Sequence, residues 1–110
     1  MKRIVRIFSQ ARNDVDRIFD WLRQRSPQGA ATWYAAFVRA VGKIEANPES
    51  HSVIAESVTR WNRTIHQILF KTPSGRRYRI VFELTSEEIR ILRVRGPGQS
   101  PLRRRDLPRD

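Results

Sequence analysis

The side chains in this sequence best equipped for chemistry are arginines: Arg76, Arg77, Arg79, Arg90, Arg93 and Arg95 crowd one short region. A guanidinium is planar, permanently charged, and able to hold two oxygens of a phosphate or carboxylate at once. Arg79 sits mid-way along the alternating stretch Tyr78-Arg79-Ile80-Val81-Phe82, where it could steady the anionic phosphorane formed when RNA is cut without a metal. That reaction also needs a base for the ribose 2′-hydroxyl and an acid for the departing oxygen. His66 could carry such a proton, because histidine titrates close to neutrality; His51, in an irregular stretch, is a weaker candidate. Arg79 and His66 are therefore the catalytic candidates, and Arg76, Arg77, Arg90, Arg93 and Arg95 the candidates for binding an anion. Plainer readings stand beside these. Arg79 could pair with Glu83 on its own strand face or with a partner's carboxylate, His66 could be an ordinary packed residue, and the arginines could form a solvated face.

Other chemistries find little support. The sequence has no cysteine, which removes disulfides and thiolate zinc sites and fits a reducing compartment, so the cytoplasm is the expected location. No His, Asp and Glu set has a recognisable metal spacing, Thr72-Pro73-Ser74-Gly75 lacks a phosphate-cradling glycine pattern, and no cofactor is expected. Arg6 interrupts the apolar N-terminal run, and nothing approaches the roughly 18 to 20 apolar residues of a membrane span. A formal charge of +11 instead suits an anionic partner, whether nucleic acid, an acidic protein surface or an anionic membrane surface, unless the surplus arginine merely keeps a small protein soluble. Trp21, Trp33 and Trp61 could stack on bases, although positions 21 and 33 suit packing in a core or against a partner better.

The elements that must position these residues are readable from periodicity. Alternation over residues 2–8 predicts a strand with Val5 and Ile7 on one face. Ala11, Val15, Ile18, Phe19 and Leu22 then fall at helical spacing, predicting a helix from Ser9 to Arg25 with Ser9 as its cap. Ser26-Pro27 starts a second helix, carrying Ala30, Tyr34, Phe37, Val41 and Ile44, which Asn47-Pro48 stops after Ala46. So short a joint makes the two helices an antiparallel hairpin. Residues 48–64 show no clean period and predict an ordered but irregular connector with room for one helical turn. Strands follow at 65–71, 76–84 and 88–95, with Tyr78, Ile80, Phe82 and Leu84 sharing a core face and Leu92 and Val94 joining it. The fold class is α+β in the order β-α-α-β-β-β, a helical hairpin on one face of a twisted, mainly antiparallel sheet. At 110 residues the chain holds one domain, predicted over residues 1–97, with residues 98–110 as a basic, flexible tail.

Three stretches in this order resemble the RelE/ParE superfamily of toxins, the plasmid-stabilisation proteins of type II toxin–antitoxin systems. They are Ala11-Arg12-Asn13-Asp14-Val15-Asp16-Arg17-Ile18, then Ile65-His66-Gln67-Ile68-Leu69-Phe70-Lys71 with Tyr78-Arg79-Ile80-Val81-Phe82, and Ile91-Leu92-Arg93-Val94-Arg95. With the hairpin, the resemblance spans roughly residues 3–96. It implies a growth inhibitor neutralised by an acidic, partly disordered cognate antitoxin in a hetero-oligomer. RelE-like members cut messenger RNA at the ribosome, whereas ParE-like members poison DNA gyrase. The nucleases of the family carry lysines on the second strand and basic and tyrosine residues after the last one. Here those places hold His66, Gln67 and Ile68, and the run from Gly96 to Leu102. That departure moves the expectation towards a binding mechanism on gyrase or another protein, with ribosome-dependent, metal-independent RNA cleavage as the alternative.

Overall fold

The structure is a computed structural model that describes residues 2–73 and 75–108. Ser74 of the expected turn and residues 109–110 of the expected tail lie outside the described residues. Strand β1 (Ile4–Ile7) leads into helix α1 (Ser9–Arg25), helix α2 (Pro27–Ala46) and a 3-10 turn (Pro48–Ser50). A two-residue strand β2 (Ser52–Val53) and helix α3 (Ala55–Arg60) precede β3 (Ile65–Lys71), β4 (Arg77–Leu84) and β5 (Glu88–Arg95). A second 3-10 turn covers Arg104–Asp106.

The sheet runs β1-β5-β4-β3-β2, antiparallel throughout except where β1 lies parallel to β5. This is the α+β architecture anticipated from periodicity, with the α1–α2 hairpin on one face. The hairpin joint is Ser26, whose Oγ accepts the Gly29 N–H at 3.0 Å while Pro27 occupies the first helical position and gives up no useful donor. The expected Ser9 cap does not form: Phe8 precedes the helix and has no side-chain acceptor to offer. Two additions escape a periodicity reading. Strand β2 and helix α3 are each too short to show a period, and tertiary pairing defines them, Ile54 N–H donating to the Ile65 carbonyl at 2.8 Å.

The main core lies between hairpin and sheet. Trp33, Phe37, Ala40 and Ile44 of α2 and Ala11 of α1 meet Tyr78, Ile80, Phe82, Ile89, Ile91 and Val94. A smaller cluster of Trp61, Ile65, Val81, Leu92 and Leu107 closes part of the opposite face, with Phe8, Ile54 and Leu102 against it. Leu92 was expected beside Val94. A register shift pairs Val81 with Arg93 and Phe82 with Ile91, so one residue of β5 is extra and Leu92 turns to the second cluster. The segment expected as a flexible tail makes contacts with the domain as far as residue 108. Leu107 is only 5% exposed, and the Ser100, Asp106 and Pro108 carbonyls accept from Arg95, Arg93 and Arg63. Leu102 and Leu107, with the backbone acceptors, make these contacts although the segment has no apolar period.

Candidate functional site

Alternation along β4 divides its side chains: Tyr78, Ile80 and Phe82 enter the main core, so Arg79, Val81 and Glu83 face the other side, hereafter the open face. Register then sets Arg79 directly opposite Arg95 of β5, whose neighbour Val94 is a core residue. Two guanidinium groups thus share one patch of the open face. Arg79 is half-buried and has no hydrogen-bond or ion-pair partner among the described residues. The predicted alternative of pairing with Glu83 is not realised, because Glu83 receives two hydrogen bonds from Arg63, at 2.8 and 3.1 Å.

Arg95 is 7% exposed, and its Nη2 donates to the Ser100 carbonyl at 2.7 Å, a neutral acceptor. Burial chiefly, then the charge of Arg93 and also that of Arg79, pull its pKa below the ordinary arginine value, against opposing help from Asp106 and Asp14. The folded protein therefore holds this cation at an electrostatic cost, which an incoming anion would relieve.

Arg93 and Arg90 fare differently from the sequence expectation. Arg93 donates from Nε and Nη2 to Asp14 at 2.7 and 3.0 Å, and from Nη1 to the Asp106 carbonyl at 2.7 Å. Its pKa is raised, first by the Asp14 hydrogen bond. Arg90 donates to Glu88 at 2.8 Å. Neither is a bare cation, and the six-arginine patch separates. Arg77 lines a groove with Arg39, Lys43 and Lys71 between α2 and β3. Arg76 lies at the opposite end of the hairpin beside Trp21 and Tyr78.

Asp14 is the residue that sequence reasoning missed. Strand β1 ends its pairing at Ile7 opposite Ile91, which leaves the Val94 N–H on that edge without a strand partner. Asp14 Oδ2 accepts it at 2.9 Å, from a position 2% exposed, and so ties α1, β5 and the C-terminal segment together through Arg93. The signal was a carboxylate inside the buried stripe Ala11, Asp14, Ile18, where an apolar residue would ordinarily stand.

His66 and Arg79 do not come together. His66 pairs in register with Phe82, stacks on its ring at 5.2 Å, and shares a hydrogen bond of 3.2 Å between Nδ1 and the His51 carbonyl. It thus lies on the hairpin face, with the sheet between it and Arg79. His51 is likewise engaged, its Nε2 within 3.3 Å of the Lys43 carbonyl. Trp33 and Trp61 are packed in the two cores, while Trp21 is partly exposed with the Arg25 guanidinium 3.6 Å above its ring. Among the described residues no group of His, Asp and Glu could hold a metal ion, and no helix is long and apolar enough to cross a membrane.

Residues 5–101 match the family profile described as ParE toxin of type II toxin-antitoxin system, parDE, which takes in both helices of the hairpin, β1 from Val5, the other four strands and the Arg79–Arg95 pair. Comparison with individual curated proteins gives no match.

Proposed function

The chain belongs to the ParE toxin family of type II toxin–antitoxin systems, and from that premise we propose that it arrests growth by docking its open sheet face on a protein target, DNA gyrase, rather than by cutting RNA. The observation that carries this reading is the Arg79–Arg95 pair: two adjacent guanidinium groups, no carboxylate of their own, and His66 on the other side of the sheet. RNA cleavage requires an acid and a base within hydrogen-bond reach of the same phosphate as the charge-stabilising group. Beside Arg79 stand Arg95, Val81 and Leu69, none of which exchanges protons near neutrality. What two neighbouring guanidiniums do well is grip a carboxylate or phosphate by paired hydrogen bonds.

Family membership also supplies a partner, the antitoxin. We place its acidic residues on the same arginines, so that toxin bound to antitoxin in a cytoplasmic hetero-oligomer cannot dock on its target. A charge of +11 would hasten both encounters. Expression in growing cells separates the two mechanisms. Gyrase–DNA cleavage complexes that disappear on Arg79→Ala, with translated messages intact throughout, are expected; new ribosome-dependent cuts in messages would overturn the reading.

A further inference from the structure

A second site lies away from the open face, where the C-terminal end of α1 meets the start of β4 and the end of β5. Two cavities of about 290 and 300 Å³ adjoin there and share Trp21, Arg76 and Tyr78 as walls. Ile18, Val94 and Pro97 complete the apolar lining of one, Leu22 and Trp33 that of the other. Volumes of this size, flanked by aromatic rings, suit a planar apolar group.

Three donor groups among the residues that line these cavities, on Trp33, Tyr78 and Arg76, have no acceptor among the described residues. Trp33 is fully buried, and its Nε1–H finds no partner among the described residues, an arrangement that costs free energy unless an acceptor arrives. Tyr78 is 5% exposed, lines both cavities, and has ring contacts but no hydrogen bond for its hydroxyl among the described residues. Burial raises the Tyr78 pKa, so the phenol keeps its proton and remains a donor. Arg76 is exposed and without a hydrogen-bond partner among the described residues, and its charge is felt at the Tyr78 oxygen. Arg17 and Arg25 add positive charge at the rims, although each is already engaged, with Asp14 and with the Trp21 carbonyl. The one carboxylate in the lining, Asp14, is held by Arg93 and the Val94 N–H and offers the cavity little acceptor capacity.

We propose that these joined cavities form a binding site for a carboxylate carried on a planar apolar body, with the ring between Trp21 and Tyr78 and the carboxylate at Arg76. This site is separate from the Arg79–Arg95 pair and holds whether or not gyrase is the target. The same chemistry is presented by a free aromatic acid and by a peptide that ends in an aromatic residue.

Nitrogen-15-labelled protein gives a direct readout, because its three tryptophans supply three indole N–H resonances. Titration with phenylacetate should shift the Trp21 and Trp33 signals saturably while Trp61, packed in the other cluster, stays in place. Phenylacetamide, the same body without the charge, should bind roughly tenfold more weakly, and Arg76→Ala should weaken phenylacetate by a similar factor. Arg76 is exposed, so that variant keeps its fold, which the unchanged Trp61 signal verifies. A parallel titration with acetyl-Gly-Gly-Phe identifies the source: saturation by the acid alone makes it a small-molecule site, and saturation by the peptide a chain-end site. The proposal is overturned if neither probe saturates, if the amide binds as well as the acid, or if Arg76→Ala binds unchanged.

Discussion

Asp14 and Arg93 form the contact on which most of the surrounding geometry depends. The pair is nearly buried, at 2% and 14% side-chain exposure, and Asp14 carries the Val94 N–H as well. Removing the carboxylate would leave Nε and Nη2 of Arg93 and the Val94 amide without their acceptor, and breaking a buried pair in this way costs about 3 to 5 kcal/mol. Asp14→Ala should therefore lower stability by roughly 3 kcal/mol in urea unfolding, with Asp14→Asn intermediate because it keeps an acceptor for Val94. A loss near zero would mean that the pair merely decorates the edge of β5. Tyr78 gives a second test at this scale. Burial lifts its phenol above the ordinary 10.0, against the opposing Arg76 charge. The unfolded chain then releases that proton first, at about pH 10, so it binds fewer protons than the folded state there and stability falls as pH rises. Tm should drop more steeply above about pH 10 for the native chain than for Tyr78→Phe; parallel curves would show the hydroxyl to be solvated.

At the scale of elements, the parts with a long period were legible and the parts built by tertiary contact were not. Both long helices were evident from Ala11-Val15-Ile18-Leu22 and Phe37-Val41-Ile44, and Ser26-Pro27 marked their joint through a hydrogen bond that does form. Leu92 was misplaced because alternation has no way to announce an extra residue in β5. The arginines could be named as candidates from the sequence, but which of them keep a free charge depends on Asp14, Glu88 and Glu83, contacts made by distant segments or by a neighbouring strand residue. In the C-terminal segment, which composition marks as tail, buried Leu107, partly buried Leu102 and three carbonyls make contacts that no periodicity announces. Leu107→Ala should cost roughly 2 to 3 kcal/mol by the usual burial and cavity terms and should raise amide exchange across residues 100–108. Stability within experimental error of the native chain would show that the segment rests on the sheet without holding it.

For the whole molecule, the hairpin closes one side of the sheet and leaves the other to be covered only in part, by α3, the connector and the C-terminal segment. The uncovered remainder holds half-buried Arg79, with Arg95 beside it beneath the C-terminal segment, in a chain whose overall charge draws anions from a distance. Association with an acidic partner should accordingly slow as salt rises through the range where the Debye length falls below about 10 Å, whereas the position of the charge, not its sum, should decide potency. Arg12, on the solvated face of α1, provides a matched control that removes the same charge elsewhere. The most direct measurement is the concentration of purified protein that half-inhibits supercoiling by DNA gyrase, compared for the native chain, Arg79→Ala and Arg12→Ala. The open-face account predicts roughly a tenfold or larger increase for Arg79→Ala, the loss of a paired charge-assisted contact, and little change for Arg12→Ala. Equal potency of the two variants, or a native chain that leaves supercoiling untouched, would contradict it.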